Sequence, residues 1–231
     1  MKNGSQGQQP DFFEELSGVF SEERLNRYLG ENNPKKQAVL LYTWNIELSK
    51  SLYPSVQILE VTMRNSLHNV LSDYFQTDHW FDDGFLSQSE RLTVSQAKEK
   101  LSKNGKQLTP GRLVAELSFG FWTSLFDIRY EHGQTLWPKL LTSVLPFMPR
   151  GQRTRRNISR QLNEIRKLRN RIFHYEPIWY WGNLCEQHQN IANVINWFSP
   201  VAHEYLKLVD DFVGVYKEGQ SKIASKLSHK F

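Results

Sequence analysis

Arg169, Asn170 and His174 carry the side chains with the clearest chemical potential, and they stand within six positions of one another. A guanidinium is permanently charged and binds anions in a fixed fork geometry. An amide donates and accepts hydrogen bonds. An imidazole exchanges a proton near neutral pH, which suits acid–base work. Together the three types point to anion binding coupled to proton transfer. A histidine in a helix is equally compatible with a structural role.

Spacing sharpens the question at Arg169. From Thr154 onward, Ile158, Leu162, Ile165 and Ile172 fall on one stripe of a helix, while Arg156, Arg160, Glu164, Lys167 and Arg171 fall away from it. Arg169 lies inside the apolar stripe, roughly 20° from Ile158 on an ideal wheel. A guanidinium there needs a carboxylate, a polar cavity or a ligand. It is either half of an ion pair between helices or an anion-binding group at the floor of a cleft. His174 follows five residues later, about 140° around the ideal helix. One straight helix therefore does not set the two side by side. Three arrangements would: a deformed helix end, a bent arginine side chain, or two subunits facing each other.

A second polar face interrupts the apolar pattern after Pro54. Glu60, Arg64 and His68 recur at four-residue steps among Val56, Leu59, Met63, Leu67, Val70 and Leu71, with Asn65 nearby. These residues form an exposed ladder, or else Glu60 or a neighbour reaches Arg169. Glu116, in the apolar segment from Leu113 to Trp122, is the alternative partner.

The elements that must position these residues read as helices. Asp11 to Ser17 is one, with Gly18 as its stop. Ser21 to Tyr28 is another, with Ser21 as N-cap and Glu22 and Glu23 in its first turn. Asn33 and Pro34 open a segment to about Leu52, and Pro54 opens the next, to about Phe75. A loop follows at 76–85, then a polar helix at 87–101. Thr109 and Pro110 start a helix to about Phe126, and Thr135 to Leu145 makes another. The basic helix runs from Thr154 to about Tyr175 and ends before Pro177. The last helices span 183–197 and 200–216. The expectation is an all-α chain: a flexible N-terminus at 1–10, one helical domain at 11–216 and a polar, frayed tail at 217–231.

Composition narrows the function classes. The 231 residues carry a formal net charge of +5. Nine basic residues against the single acid Glu164 give the stretch from Arg150 to Arg171 a charge of +8, leaving −3 elsewhere. A basic stripe on a slightly acidic body suits an anionic partner such as nucleic acid. It also suits a solvated helix face or an acidic protein partner. Cys185 is the only cysteine, so an internal disulfide and a multi-cysteine zinc site are both excluded. No histidine–carboxylate cluster has ligand spacing, so neither metal nor cofactor is expected. No apolar run approaches the ~20 residues that cross a bilayer. The polar stretch from Met1 to Pro10 lacks a hydrophobic signal segment. A cytoplasmic protein without a membrane contact is the expectation.

The string from Leu168 to Ile178, LRNRIFHYEPI, resembles the signature of the Abi-like (abortive infection) proteins of the HEPN superfamily. Their diagnostic is an arginine and a histidine four to six residues apart, often with a polar residue after the arginine. Here the spacer has four residues and Asn170 holds the polar place. The segment from Thr109 to Trp122, TPGRLVAELSFGFW, resembles the family's central helix, and Leu59 to Asn65, LEVTMRN, resembles its early one. The three occur in order between about 35 and 200. The resemblance implies a HEPN-like helical bundle with additional peripheral helices, acting as a homodimer. It further implies a metal-independent endoribonuclease of phage-defence or toxin type, leaving 2′,3′-cyclic phosphate and 5′-hydroxyl ends. Arg169, His174 and Asn170 would be catalytic. Glu60, Arg64, Asn65, Glu116, Arg171 and Lys167 would support the site or bind substrate. RNA would be the partner, with an antitoxin or phage trigger as restraint. Some members bind RNA without cutting it, or serve as protein-interaction modules.

Overall fold

The computed structural model describes residues 12–29 and 35–227. Among these residues there are thirteen α-helices, two 3-10 turns and no strand. The described residues are all-α, as expected. In order the helices are α1 (Phe12–Phe20), α2 (Glu22–Asn26), α3 (Lys35–Phe75), α4 (Gln88–Lys103), α5 (Pro110–Glu116), α6 (Phe119–Ser124), α7 (Arg129–His132), α8 (Leu141–Val144), α9 (Arg155–Phe173), α10 (Leu184–Phe198), α11 (Pro200–Val209), α12 (Phe212–Glu218) and α13 (Ser221–Leu227). The expected flexible N-terminus and the start signal Asn33–Pro34 lie outside the described residues.

These helices gather into two compact units. The first takes the described residues up to Ser51, Arg171–Gly182, and those from Asp211 onward. The second takes Leu52–Asn170 and Asn183–Asp210. The boundaries fall inside α3 and α9, so both helices contribute to both units.

The first unit is built around an aromatic core. Leu25, Tyr28, Ala38, Val39 and Leu41 are buried, with Tyr42, Trp179 and Leu227 packed against them. The Tyr28 ring meets Tyr42 edge-on at 5.3 Å and stacks with Trp179 at 6.5 Å. Ser21 caps α2, its hydroxyl accepting from the Arg24 N–H at 3.4 Å. Gly18 does not end α1: the helix continues to Phe20, whose ring packs on Tyr42 at 5.4 Å. The expected frayed tail instead holds α13, where Ile223 is buried and Leu227 joins the core. Their four-residue spacing places both on one face.

In the second unit, Leu52, Val56, Leu59, Met63, Leu67 and Leu71 line the inner face of α3, all essentially inaccessible. Ile158, Leu162, Ile165 and Leu168 do the same on α9. Trp80 and Trp122 cross at 6.1 Å, and Phe126 stacks on Trp137 at 4.9 Å.

Several expected boundaries move, each for a physical reason. Pro54 lies inside α3 rather than opening a new helix. Proline removes one N–H and crowds the preceding turn. Here the hydroxyls of Ser51 and Ser55 donate to the carbonyls of Leu48 and Leu52, each at 2.9 Å, and buried positions keep helical spacing on both sides. The expected helix from 111 to 126 splits into α5 and α6. Leu117 and Ser118 are extended, and Ser118 accepts from the Phe121 N–H at 3.3 Å, a cap competing with helix continuation. Thr109 caps α5 as expected. The expected helix at 135–145 shortens to α8, because the N–H groups of Leu136 and Trp137 both return to the Tyr130 carbonyl. The helix expected at 200–216 breaks at Asp210, which is extended. The loop at 76–85 contains a 3-10 turn at Trp80–Asp82 that buries Trp80 and Phe81.

Candidate functional site

Arg169 and Asn170 belong to the second unit, Arg171 and His174 to the first.

In the second unit, α9 opens at Thr154, whose hydroxyl accepts from the Asn157 N–H at 3.1 Å. The helix then carries its apolar stripe inward, and Arg169 goes with it. The Arg169 side chain is 24 % exposed, and its Nη2 lies 3.5 Å from Oε2 of Glu60 on α3, itself 20 % exposed. The guanidinium also stands over the Phe119 ring at 6.0 Å. Of the two acids considered, Glu60 is the one that stands beside Arg169. Glu116 is not: its carboxylate sits 2.5 Å from Lys100 on α4.

The rest of the α3 ladder divides by function. His68 accepts through Nδ1 from the Trp80 indole N–H at 3.0 Å and stacks on Phe81 at 5.8 Å. Burial holds its imidazole below the ordinary histidine value, against an opposing pull from Asp78. His68 thus fastens the 3-10 turn to α3. Arg64 is half-buried, and its Nε has no hydrogen-bond partner among the described residues. Asn65 is exposed. It lines an open groove of about 830 Å³ with Ile58 and Val61 on α3 and Val201, Tyr205 and Val209 on α11. Asn170 is exposed, and Lys167 pairs with Glu164 at 3.0 Å on the surface.

The basic stripe is partly consumed by structure. Arg155 is buried and paired with Glu131 at 2.9 Å. Arg153 donates through Nε to the Met148 carbonyl at 2.9 Å. Arg156 and Arg160 remain exposed and flank a polar concavity of about 700 Å³ with Gln152, Asn157 and Gln161.

In the first unit, α9 ends in a tight reversal. The Glu176 N–H bonds the Arg171 carbonyl at 2.8 Å, and the Tyr175 N–H bonds the Ile172 carbonyl at 3.1 Å. This pair of bonds is the Schellman pattern, with His174 as the C-cap and Tyr175 in the left-handed region at φ 57°. His174 is exposed. Arg171 clamps the turn: Nη1 donates to the Pro177 carbonyl at 3.0 Å and to the Tyr180 hydroxyl at 3.1 Å. Its Nε lies 3.7 Å from Glu176, and its guanidinium covers the Trp181 ring at 5.3 Å. The expected supporting arginine therefore holds backbone.

Asn45 secures the same turn from α3. Its Oδ1 accepts from the N–H groups of Ile178 at 2.6 Å and Trp179 at 3.2 Å, and its Nδ2 donates to the Glu176 carbonyl at 3.4 Å. Asn45 is 4 % exposed. Sequence reasoning missed it. The signal was a polar side chain among Leu41, Trp44 and Leu48 in a helix whose neighbours are apolar. It missed equally the buried His188, whose Nε2 lies 2.9 Å from Asp210.

Among the described residues no group of three or more histidines, cysteines or acids is placed to hold a metal ion. No helix among them is long and apolar enough to cross a membrane. No family model, curated protein or solved structure matches the chain.

Proposed function

We propose that the chain is a metal-independent endoribonuclease of the HEPN superfamily, of phage-defence or toxin type, acting as a cytoplasmic homodimer. The observation that carries this reading is the disposition of the string around Arg169. Its arginine stands beside Glu60 in the apolar stripe, and its histidine is exposed at the C-cap of the same helix.

In this reading His174 takes the proton of a ribose 2′-hydroxyl. The freed oxygen attacks phosphorus, the bond to O5′ breaks, and the leaving oxygen takes up a proton. The products are a 2′,3′-cyclic phosphate and a 5′-hydroxyl, which restricts the substrate to RNA. Arg169 offsets the charge that grows on the phosphate, and Asn170 orients the pair or hydrogen-bonds a phosphate oxygen. Glu60 fixes the guanidinium, and Arg171 with Asn45 fixes the turn that presents His174. Arg156 and Arg160 supply charge for the strand. Restraint comes from an antitoxin or a phage-derived trigger.

The test is incubation of the purified chain with tRNA and structured RNA in EDTA, beside Arg169→Ala and His174→Ala. Fragments with cyclic-phosphate ends, formed by the wild type and by neither variant, are expected. Cleavage that survives either substitution in a folded protein refutes the assignment.

A second reading makes the chain a non-catalytic RNA-binding or protein-interaction module. The Glu60–Arg169 pair is a sufficient structural reason for the arginine, and the apolar groove between α3 and α11 offers a surface for a protein. Binding of RNA without product, weakening steeply with salt, selects RNA binding. Absence of both binding and product selects the protein partner.

A further inference from the structure

Tyr175 occupies a position that the backbone reserves for glycine. It is the residue after the C-cap, at φ 57°, where a Cβ meets the following carbonyl. The ring recovers nothing by burial, since the residue is 73 % exposed. A strained residue with an exposed aromatic ring calls for a role in recognition. Its surroundings are cationic and aromatic. Arg24 Nη1 donates to the Tyr175 carbonyl at 3.0 Å, and His174 precedes it. Arg171 clamps the turn, with Glu176 Oε2 3.7 Å from its Nε. Five residues on, Tyr180 is 55 % exposed. Its hydroxyl is held by Arg171, and its ring stands edge-on to Trp179 at 5.7 Å. Two exposed rings on a turn fastened by Arg171 and Asn45 lose little freedom on binding a flat ligand. Every nucleobase has such a face, and unpaired bases are free to offer it.

We infer that Tyr175, supported by Tyr180, is a stacking platform for unpaired bases of single-stranded RNA next to His174. This rests on the reading of the chain as an RNA-directed protein and names its substrate as unpaired strand. Stacking is tolerant of base identity, so the platform selects single strands over duplex without strong sequence preference. The basic residues around it attract the sugar–phosphate backbone, while the rings take the bases.

The experiment measures binding of a short, fluorescein-labelled 2′-O-methyl oligouridylate by anisotropy. That strand lacks the 2′-hydroxyl proton and cannot be cleaved, so binding is read independently of catalysis. The full chain is compared with Tyr175→Gly and Tyr175→Phe. Tyr175→Gly relieves the left-handed strain, and its Tm is expected to rise by about 2 °C. It should nevertheless weaken binding about tenfold, within the range found when one base-stacking ring is removed. Tyr175→Phe keeps the ring and should bind as the wild type does. A strand of the same length without bases should bind both proteins equally. Undiminished binding by Tyr175→Gly overturns the inference, as does an equal loss on the baseless strand or an absence of binding by the wild type. Cleavage is scored separately in EDTA. Tyr175-dependent binding without any cleavage keeps the platform and removes the nuclease. Cleavage indifferent to Tyr175 keeps the nuclease and removes the platform.

Discussion

Removing the charge of Glu60 tests whether Arg169 is held as a paired cation. The perturbation is Glu60→Gln, which keeps shape and hydrogen-bonding atoms but removes the negative charge 3.5 Å from the guanidinium. At 3.5 Å the gross Coulomb attraction is about 5 kcal/mol at an effective dielectric of about 20. Desolvation and side-chain ordering cancel most of that. With side chains 24 % and 20 % exposed, solvent screens the pair more than in a closed core. The expected loss is about 1–2 kcal/mol, above a surface pair and below the 3–5 kcal/mol of a fully buried one. Urea unfolding followed by tryptophan fluorescence reads it, with buried Trp80, Trp122 and Trp137 reporting on the second unit. Arg169→Met alone should lose a similar amount, and the double variant should recover about 1 kcal/mol relative to additivity. A coupling below ~0.3 kcal/mol, the usual additivity error, refutes the pair as the reason for the position of Arg169.

Two further outcomes follow from particular contacts. Burial depresses the His68 pKa, so the unfolded chain protonates before the folded one as pH falls. The resulting stability is complete above the unfolded value of about 6.5 and is lost as pH drops from there toward the folded value. Tm should fall between about pH 7 and pH 5, and His68→Gln, which keeps an acceptor for Trp80, should flatten that part of the profile. Arg171→Lys should lower Tm by about 3 °C and speed proteolysis within 174–182. A single ammonium cannot serve the Pro177 carbonyl, the Tyr180 hydroxyl and the Trp181 face together. An unchanged Tm would remove the clamp.

The sequence disclosed what depends on neighbours along the chain. Helical periodicity gave the buried stripe of α9, and the misfit of Arg169 within that stripe called for a carboxylate, a polar cavity or a ligand; Glu60 stands 3.5 Å from it. Caps were equally visible at Ser21 and Thr109, because a cap involves residues only three positions apart. What stayed hidden depends on distant partners. Pro54 obeys a local rule that starts helices, yet it sits within α3 between buried leucines. Ser118 carried a readable cap, but the apolar run from Leu113 to Trp122 hid it, and the helix broke there. Asn45 bonds residues more than 130 positions away, which no periodicity encodes.

The same division explains why the arginines of the stripe are not interchangeable. Nine basic residues within 22 positions suggest a single charged face, but charge is consumed wherever an arginine meets backbone or acid. Arg155 is spent on Glu131, Arg153 on the Met148 carbonyl, Arg169 on Glu60 and Arg171 on the turn after His174. Arg156 and Arg160 face solvent across a polar concavity, and Arg150, Arg166 and Lys167 are exposed as well. Neutralising Arg156 and Arg160 should therefore reduce the salt dependence of RNA binding while leaving the fold unchanged. Neutralising Arg155 or Arg171 should act on stability first. The number of basic residues announces an anionic partner, and the hydrogen-bond partners decide which of them can meet it.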